Sequence, residues 1–236
     1  LLDPNTLRED GTVALKRHSV SEDGKHLAYQ LSEAGSDWVT VKVRDVDTGE
    51  DLADELKWVK FSGLSWAKDG SGFYYSRYDA PSEGQALKEQ NFWQKLYFHR
   101  LGTPQAEDRR VYARKDQKEW GFSGGVTDDG SLLVIHVWRG AINETQIFYR
   151  ELGDEAAPVV ELITGFDADY EVIDNDGRTL FLRTDLDAPR GRVVAVDLDA
   201  PERSQWREII PQADITLRNV ARVGDRFFAR YLRDAH

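Results

Sequence analysis

The chain has 236 residues, of which 40% are hydrophobic and 31% are charged, and its net charge is −11 at pH 7. This composition is typical of a folded globular protein, and no apolar run reaches the roughly 18 residues that a membrane-spanning helix needs. The absence of cysteine excludes disulfides, thiolate metal sites and a cysteine nucleophile. The acidic excess argues against nucleic acid, which is bound by a basic surface. Neither a membrane nor a nucleic acid is therefore expected as a partner.

The main feature of the sequence is a tight turn of Asp and Gly that recurs between short apolar runs. The turn glycines are spaced 46 to 60 residues apart and are Gly24, Gly70, Gly130, Gly177 and Gly224. Glycine tolerates the positive φ that a tight hairpin turn requires. Repeats of about 40–50 residues that contain strand-like segments are typical of β-propellers.

A second turn divides each repeat, for example at residues 46–49 and 99–102. Before it, β-branched or aromatic side chains occupy alternate positions, as in residues 39–43. A period of two predicts half-buried strands, so each repeat is predicted to be a four-stranded antiparallel blade. An additional loop lengthens the second repeat, and residues 85–90 within it are predicted to form one helical turn.

The sequence therefore predicts an all-β protein in which residues 1–236 form part of a β-propeller. It contains about four and a half blades, at roughly 1–56, 57–115, 120–163, 166–210 and, truncated, 216–236. Ring closure protects the edges of propeller blades. We therefore expect the chain to belong to a longer protein.

Motifs that would carry chemistry give no candidate centre in this chain. Residues 121–125 match the G-x-S-x-G pattern of hydrolases, but a strand and a turn, rather than a helix, are predicted after Ser123. We therefore interpret Ser123 as a strand residue. The five histidines lack metal-site spacing, and the carboxylates between Asp167 and Asp176, which lack the glycine of a calcium loop, are interpreted as a solvated turn. No catalytic residue, metal or cofactor is predicted.

Several longer motifs resemble the prolyl oligopeptidase family, and the prolyl endopeptidases most closely. They are GSDWVTVK at 35–42, LKWVKFS at 56–62, QKLYFHRLGT at 94–103 and RYLRDA at 230–235. This resemblance implies a seven-bladed propeller that covers an α/β-hydrolase domain with a Ser-Asp-His triad, and cleavage of short peptides after proline. The hydrolase domain and its triad are not in this chain.

The resemblance also implies two site residues. The phenylalanine of the family's Val-Lys-Phe-Ser motif reaches the wall of the substrate pocket, and this position is Phe61. From the residues alone, the alternative that Phe61 belongs to the blade core is favoured. The aspartate of Gly-Ser-Asp-Trp lies at the domain interface in the family and corresponds to Asp37, which by itself would be a turn residue that caps local backbone donors.

The predicted function is that of the substrate-gating propeller of a prolyl endopeptidase. Its partners would be proline-containing oligopeptides and its own α/β-hydrolase domain. Two alternatives stay open: a non-enzymatic protein-interaction propeller, and the propeller of another oligopeptidase, such as one that prefers basic residues. The expected location is the cytoplasm, or the periplasm if a signal peptide has been removed.

Overall fold

The fold is that of a computed structural model, which describes residues 2–3, 7, 10–82, 84 and 91–233. The helical turn predicted at residues 85–90 lies outside these residues. By compactness the chain divides into a first unit, Leu1–Val126, and a second unit, Thr127–His236. The described helices are two short 3₁₀ turns, Gln105–Glu107 and Arg203–Gln205. None of the described helices is long and apolar enough to span a membrane.

The first unit consists of antiparallel strands, most of which are joined by short connections. They are β1 (Val13–Val20), β2 (His26–Glu33), β3 (Val39–Asp45), β4 (Asp51–Val59), β5 (Ser65–Trp66), β6 (Gly72–Arg77), β7 (Lys95–Arg100), β8 (Arg109–Tyr112) and β9 (Trp120–Val126). The sheet order is β1-β2-β3-β4-β6-β7-β8, with β5 paired to β6. The all-β prediction is thus confirmed in this unit.

A single residue pair, Val59 with Arg77, joins the sheets of the first two repeats. The unequal lengths of β4 and β5 explain why only this pair joins the two sheets. β5 has only two residues and pairs with just one end of β6, whereas β4 has nine residues and extends far enough to reach the other end. The chain then turns sharply after Val59, and this turn contains Phe61.

The second unit repeats the same antiparallel pattern. Its strands are β10 (Leu132–Arg139), β11 (Gln146–Glu151), β12 (Val160–Ile163), β13 (Tyr170–Asp176), β14 (Thr179–Thr184), β15 (Arg192–Asp197), β16 (Arg207–Ile210), β17 (Thr216–Val223) and β18 (Arg226–Leu232). They are arranged as β10-β11-β12, β13-β14-β15-β16 and β17-β18. Each of these pairings is antiparallel, as predicted for a blade.

The hydrophobic core follows the alternation that the sequence shows. Val39, Val41 and Val43 on β3 are at most 8% exposed and pack against Leu56 and Phe73 in the first unit. In the second unit, side chains of β10 and β11 pack against those of β14 and β15 in one cluster. These contacts bury the apolar face of each strand, which is the main source of stability in such a sheet.

The repeated turns form as predicted. All five turn glycines have φ between +53° and +73°, and they are Gly24, Gly70, Gly130, Gly177 and Gly224. In the second repeat the turn aspartate, Asp69, accepts a 3.0 Å hydrogen bond from the backbone N–H of Ser71. This local bond fixes the turn and explains why aspartate precedes glycine there.

Ser123 lies in β9, and a turn followed by β10 comes after it, so its interpretation as a strand residue is confirmed. The carboxylate run is different from its prediction as a solvated turn. Glu171 and Asp174 lie in β13 and pair with Arg183 of β14 at 2.7 Å and with Arg222 of β17 at 2.9 Å. The turn prediction is wrong there because these arginines are distant in sequence and gave no local signal.

Candidate functional site

The candidate site is built around the Phe61 loop, residues 60–64, which connects β4 to β5. Phe61 is 55% exposed and has φ of +54°, a left-handed conformation that non-glycine residues rarely adopt. Such a backbone costs on the order of 1–3 kcal/mol and persists only where the surroundings impose it. Because the ring is exposed, Phe61 is not a core residue of the first unit, contrary to the alternative interpretation from the sequence.

Two buried glutamines hold the loop on either side of Phe61. Gln94 donates from Nε2 to the carbonyl of Lys60 at 2.8 Å, and Gln30 donates from Nε2 to the carbonyl of Ser62 at 2.9 Å. Both glutamine residues are at most 3% exposed. Buried polar groups with satisfied hydrogen bonds are rigid, because breaking them leaves an unpaired group in a dry environment. The exposed ring is therefore presented from a fixed backbone.

Each of these contacts is itself supported by a neighbouring strand. The Oε1 atom of Gln94 accepts a hydrogen bond from the backbone N–H of Phe122 in β9 at 2.6 Å. The hydroxyl of Ser62 accepts one from the backbone N–H of Ser76 in β6 at 2.7 Å. The position of Phe61 thus depends on β2, β6 and β9 and on Gln94, which directly precedes β7.

Lys60 connects the two residues that the sequence singled out. Its ammonium group lies 5.1 Å from the centre of the Phe61 ring, 5.4 Å from that of Trp38 and 3.5 Å from Oδ2 of Asp37. The Lys60 side chain is 14% exposed and the Asp37 side chain 64%. A largely buried ammonium between aromatic faces is attracted to both rings. The structure therefore brings Asp37 and Phe61 together on one surface.

An aromatic wall continues this surface. Trp38 packs edge-on against Trp58 and against Tyr78, with 5.9 Å between ring centres in each pair. Trp38 and Tyr78 also line a cavity of about 200 Å³ together with Phe92. Burial raises the pKa of the Tyr78 hydroxyl to about 12, so this group is neutral at physiological pH. Apolar side chains can pack against a surface of this kind.

A second polar cluster lies inside the first unit. The imidazole of His99 is fully buried, with Nδ1 2.7 Å from Oδ1 of Asp108 and Nε2 2.9 Å from Oδ1 of Asp54. Burial opposes the charged form of His99, but the hydrogen bonds with Asp108 and Asp54 outweigh it and raise the pKa of the imidazole. The hydroxyl of Tyr75 donates to Asp108 at 2.5 Å. The cluster joins β4 to β7 and is a structural connection between two repeats.

Within the part of the chain that the structure describes, no group of three His, Asp or Glu side chains could hold a metal ion.

The whole chain, residues 1–236, matches the family model described as the prolyl oligopeptidase N-terminal β-propeller domain. The chain belongs to the prolyl oligopeptidase family. The match agrees with the propeller predicted from the repeated turns and with the resemblance found in the sequence motifs. The matched domain includes the residues of both units.

Curated relatives show the same relationship. The chain is 38% identical over 234 residues to a prolyl endopeptidase of Elizabethkingia meningoseptica, covering 99% of this chain and 33% of the relative. It is 36% identical over 247 residues to prolyl oligopeptidase A of Galerina marginata, covering 96% and 33%. The chain thus spans about a third of the length of the curated relatives that it matches.

Solved structures agree in fold. A structure from a study of inter-domain dynamics in two prolyl endopeptidases has a TM-score of 0.86 and 36% identity, covering 99% of this chain and 32% of the other. Prolyl oligopeptidase B from Galerina marginata, bound to a 35-residue hydrolysis and macrocyclization substrate, has a TM-score of 0.89 and 30% identity, covering 98% and 34%.

Sequence reasoning missed four residues of the site. They are Gln30, Trp38, Lys60 and Gln94. Trp38 and Lys60 are direct neighbours of Asp37 and Phe61, so their adjacency was a usable signal. The two glutamines gave none, because a glutamine is ordinarily a solvated residue and only the three-dimensional fold places these two beside the Phe61 loop.

Proposed function

We propose that this chain is the substrate-gating propeller portion of a prolyl endopeptidase, a serine peptidase that cleaves short peptides after proline. The observation that carries the proposal is the exposed Phe61 ring, held on a strained loop by two buried glutamines. Strained left-handed residues cluster at functional sites, so an exposed aromatic ring on such a residue supports a contact with another molecule.

In this proposal Phe61 supplies an apolar wall for the peptide residues that precede the proline. Covering an aromatic ring contributes roughly 25 cal/mol for each Å² of apolar surface removed from water. Lys60, Gln30 and Gln94 are positioning residues for this contact, because they set the orientation of Phe61. Asp37, whose side chain is 64% exposed, would contact the α/β-hydrolase domain.

The proposed arrangement of the whole protein follows the family. The chain would supply about four and a half blades of a seven-bladed ring, and the hydrolase domain would supply the Ser-Asp-His triad. The partners would be this domain and the proline-containing peptide. A cytoplasmic or periplasmic location stays a prediction, which cell fractionation of the source organism tests.

Cleavage-site mapping on the full-length protein tests the function. Peptides of about ten residues that contain one proline are incubated with the enzyme, and the products are identified by mass spectrometry. Peptides with alanine in place of proline serve as the control. We expect cleavage on the carboxyl side of proline, abolished by a serine-reactive fluorophosphonate.

The alternatives give different results in the same assay. Cleavage after lysine or arginine, with proline peptides left intact, would indicate an oligopeptidase that prefers basic residues. Binding of peptides without any hydrolysis would indicate a non-enzymatic interaction propeller.

A further inference from the structure

We infer that a groove along β8 in the first unit binds an acidic segment of a peptide. The groove has a volume of about 550 Å³. Its charged lining residues are Asp79, Lys95, Arg110, Arg114 and Lys115, four cations against one carboxylate. This excess of positive charge is local, since the chain as a whole has a net charge of −11.

Two of the four cations are already neutralised. The ammonium of Lys95 lies 2.5 Å from both carboxylate oxygens of Asp79. The guanidinium of Arg114 forms a two-point contact with Asp116, at 2.8 and 2.7 Å. These pairs fix the edges of the groove and leave little charge for a ligand.

The other two cations are available. Arg110 and Lys115 are exposed, and neither side chain makes a hydrogen bond or an ion pair with another residue that the structure describes. A carboxylate of a ligand would meet two uncompensated positive charges here. Hydrogen bonds to charged groups are stronger than neutral ones, so these two side chains dominate the choice of ligand.

The rest of the lining suits a peptide chain. Trp93, 41% exposed, provides an aromatic wall, and Val111 and Ala113 provide apolar contacts. The wall is fixed, because the backbone N–H of Trp93 donates to the carbonyl of Lys118 at 2.8 Å. On the same side, Arg114 lies 4.8 Å from the centre of the Trp120 ring. The groove is therefore largely formed before a ligand arrives.

One residue connects the groove to the Phe61 loop. Gln94 lines the groove and donates to the carbonyl of Lys60, the residue before Phe61. In the inferred complex, a peptide in contact with Phe61 extends along β8 to Arg110 and Lys115. Nucleic acid fits less well, because two free cations are few for a ligand held through many phosphates. The inference rests on the proposed function and adds a substrate class: proline-containing peptides with aspartate or glutamate near the proline.

Binding to the full-length protein tests this inference without requiring catalysis. The probe is a fluorescein-labelled, proline-free peptide with three glutamates, and its control carries three glutamines. Fluorescence anisotropy is measured at low and at high salt. We expect the glutamate peptide to bind about tenfold more tightly at low salt, and this preference to fall as salt screens the charges.

The test variant is Arg110→Gln with Lys115→Gln, and it should bind both peptides equally weakly. The matched control is Arg100→Gln with Arg109→Gln, which removes the same charge from exposed residues outside the groove lining. Arg109 is the neighbour of Arg110 on β8, where it lies 5.7 Å from the centre of the Phe98 ring. We expect the control to keep the preference for the glutamate peptide.

Three results would overturn the inference. The first is equal affinity for the glutamate and glutamine peptides, and the second is an equal loss of affinity for the glutamate peptide in the test and control variants. The third is an affinity for a single-stranded DNA of the same charge that equals the affinity for the glutamate peptide. The failure of the proposed function is a separate result. If the full-length protein cleaves no proline peptide but still binds the glutamate peptide through Arg110 and Lys115, the groove is confirmed as a peptide-binding site and the assignment as a prolyl endopeptidase is wrong.

Discussion

The ammonium of Lys60 lies 5.1 Å from the centre of the Phe61 ring and 3.5 Å from the carboxylate of Asp37. One largely buried cation thus links a strained, exposed aromatic ring to an exposed carboxylate. Both residues were singled out by family motifs, and they lie 24 positions apart in the sequence. Their meeting through Lys60 makes them parts of one surface, so substitutions in either should alter the same function.

Gln94→Glu should loosen the Phe61 loop. A carboxylate can still accept the hydrogen bond from Phe122 but cannot donate to the carbonyl of Lys60, which is then left unpaired at a cost of about 1–3 kcal/mol. We expect kcat/KM for peptides of about ten residues to fall severalfold, and kcat/KM for a dipeptide substrate to change less. Steady-state kinetics with both substrates measures this. Gln117→Glu, outside the loop, is the control, and an equal effect in both variants would contradict the positioning role.

Asp37→Asn should leave folding almost unchanged, because the ion pair with Lys60 is 3.5 Å long and its Asp37 side chain is 64% exposed; pairs with an exposed partner contribute about 0–1 kcal/mol. If Asp37 contacts the hydrolase domain, kcat should fall while Tm stays within about 2 °C of the wild type. Kinetics and thermal melting of the full-length enzyme measure both. Asp47→Asn, an exposed turn residue, is the control; unchanged kcat in both variants would remove Asp37 from the interface.

His99 should make folding stability depend on pH above the ordinary histidine value of 6.5. Its pKa is raised in the folded protein, so the stabilisation by the charged form is fully present below pH 6.5. It is lost as the pH rises through the folded pKa. Tm of the wild type should therefore fall over this range more steeply than Tm of His99→Gln. If Tm changes with pH in the same way in both proteins, stabilisation by a charged His99 beside Asp54 and Asp108 is excluded.

Gly72→Ala should destabilise the protein more than Gly70→Ala. A Cβ on Gly72 would lie 2.0 Å from the carbonyl oxygen of His99, so β6 and β7 must separate. A Cβ on Gly70 meets open space, although its φ of +69° disfavours alanine by about 1 kcal/mol. Thermal melting of both variants gives the comparison. If Tm falls less for Gly72→Ala than for Gly70→Ala, β6 and β7 are less closely paired than the structure shows.

The repeat could be predicted from the sequence because its signals are local. An Asp-Gly turn fixes a hairpin from within, and the alternation of Val39, Val41 and Val43 reports which face of β3 is buried. These features depend on residues a few positions apart. The strand pattern therefore followed from the sequence without knowledge of the family.

The site could be predicted only in part, because it depends on contacts between distant strands. The sequence alone favoured Phe61 as a core residue, since an aromatic between two strands is usually buried. Its exposure results from the left-handed backbone that Gln30 and Gln94 hold, and these residues lie 31 and 33 positions away. The pairing of Asp174 with Arg222 escaped prediction for the same reason.

The central claim, that Phe61 is presented to the peptide substrate, is tested most directly by Phe61→Ala in the full-length enzyme. The measurement is kcat/KM for a ten-residue and a dipeptide proline substrate, with Tm measured beside it. We predict a loss of about 5- to 100-fold for the long substrate, corresponding to roughly 1–3 kcal/mol, little loss for the short one and a nearly unchanged Tm. Phe122→Ala, at a side chain 1% exposed, is the control and should cost about 3–5 kcal/mol of stability. An equal loss for both substrates together with a large fall in Tm of Phe61→Ala would contradict the claim.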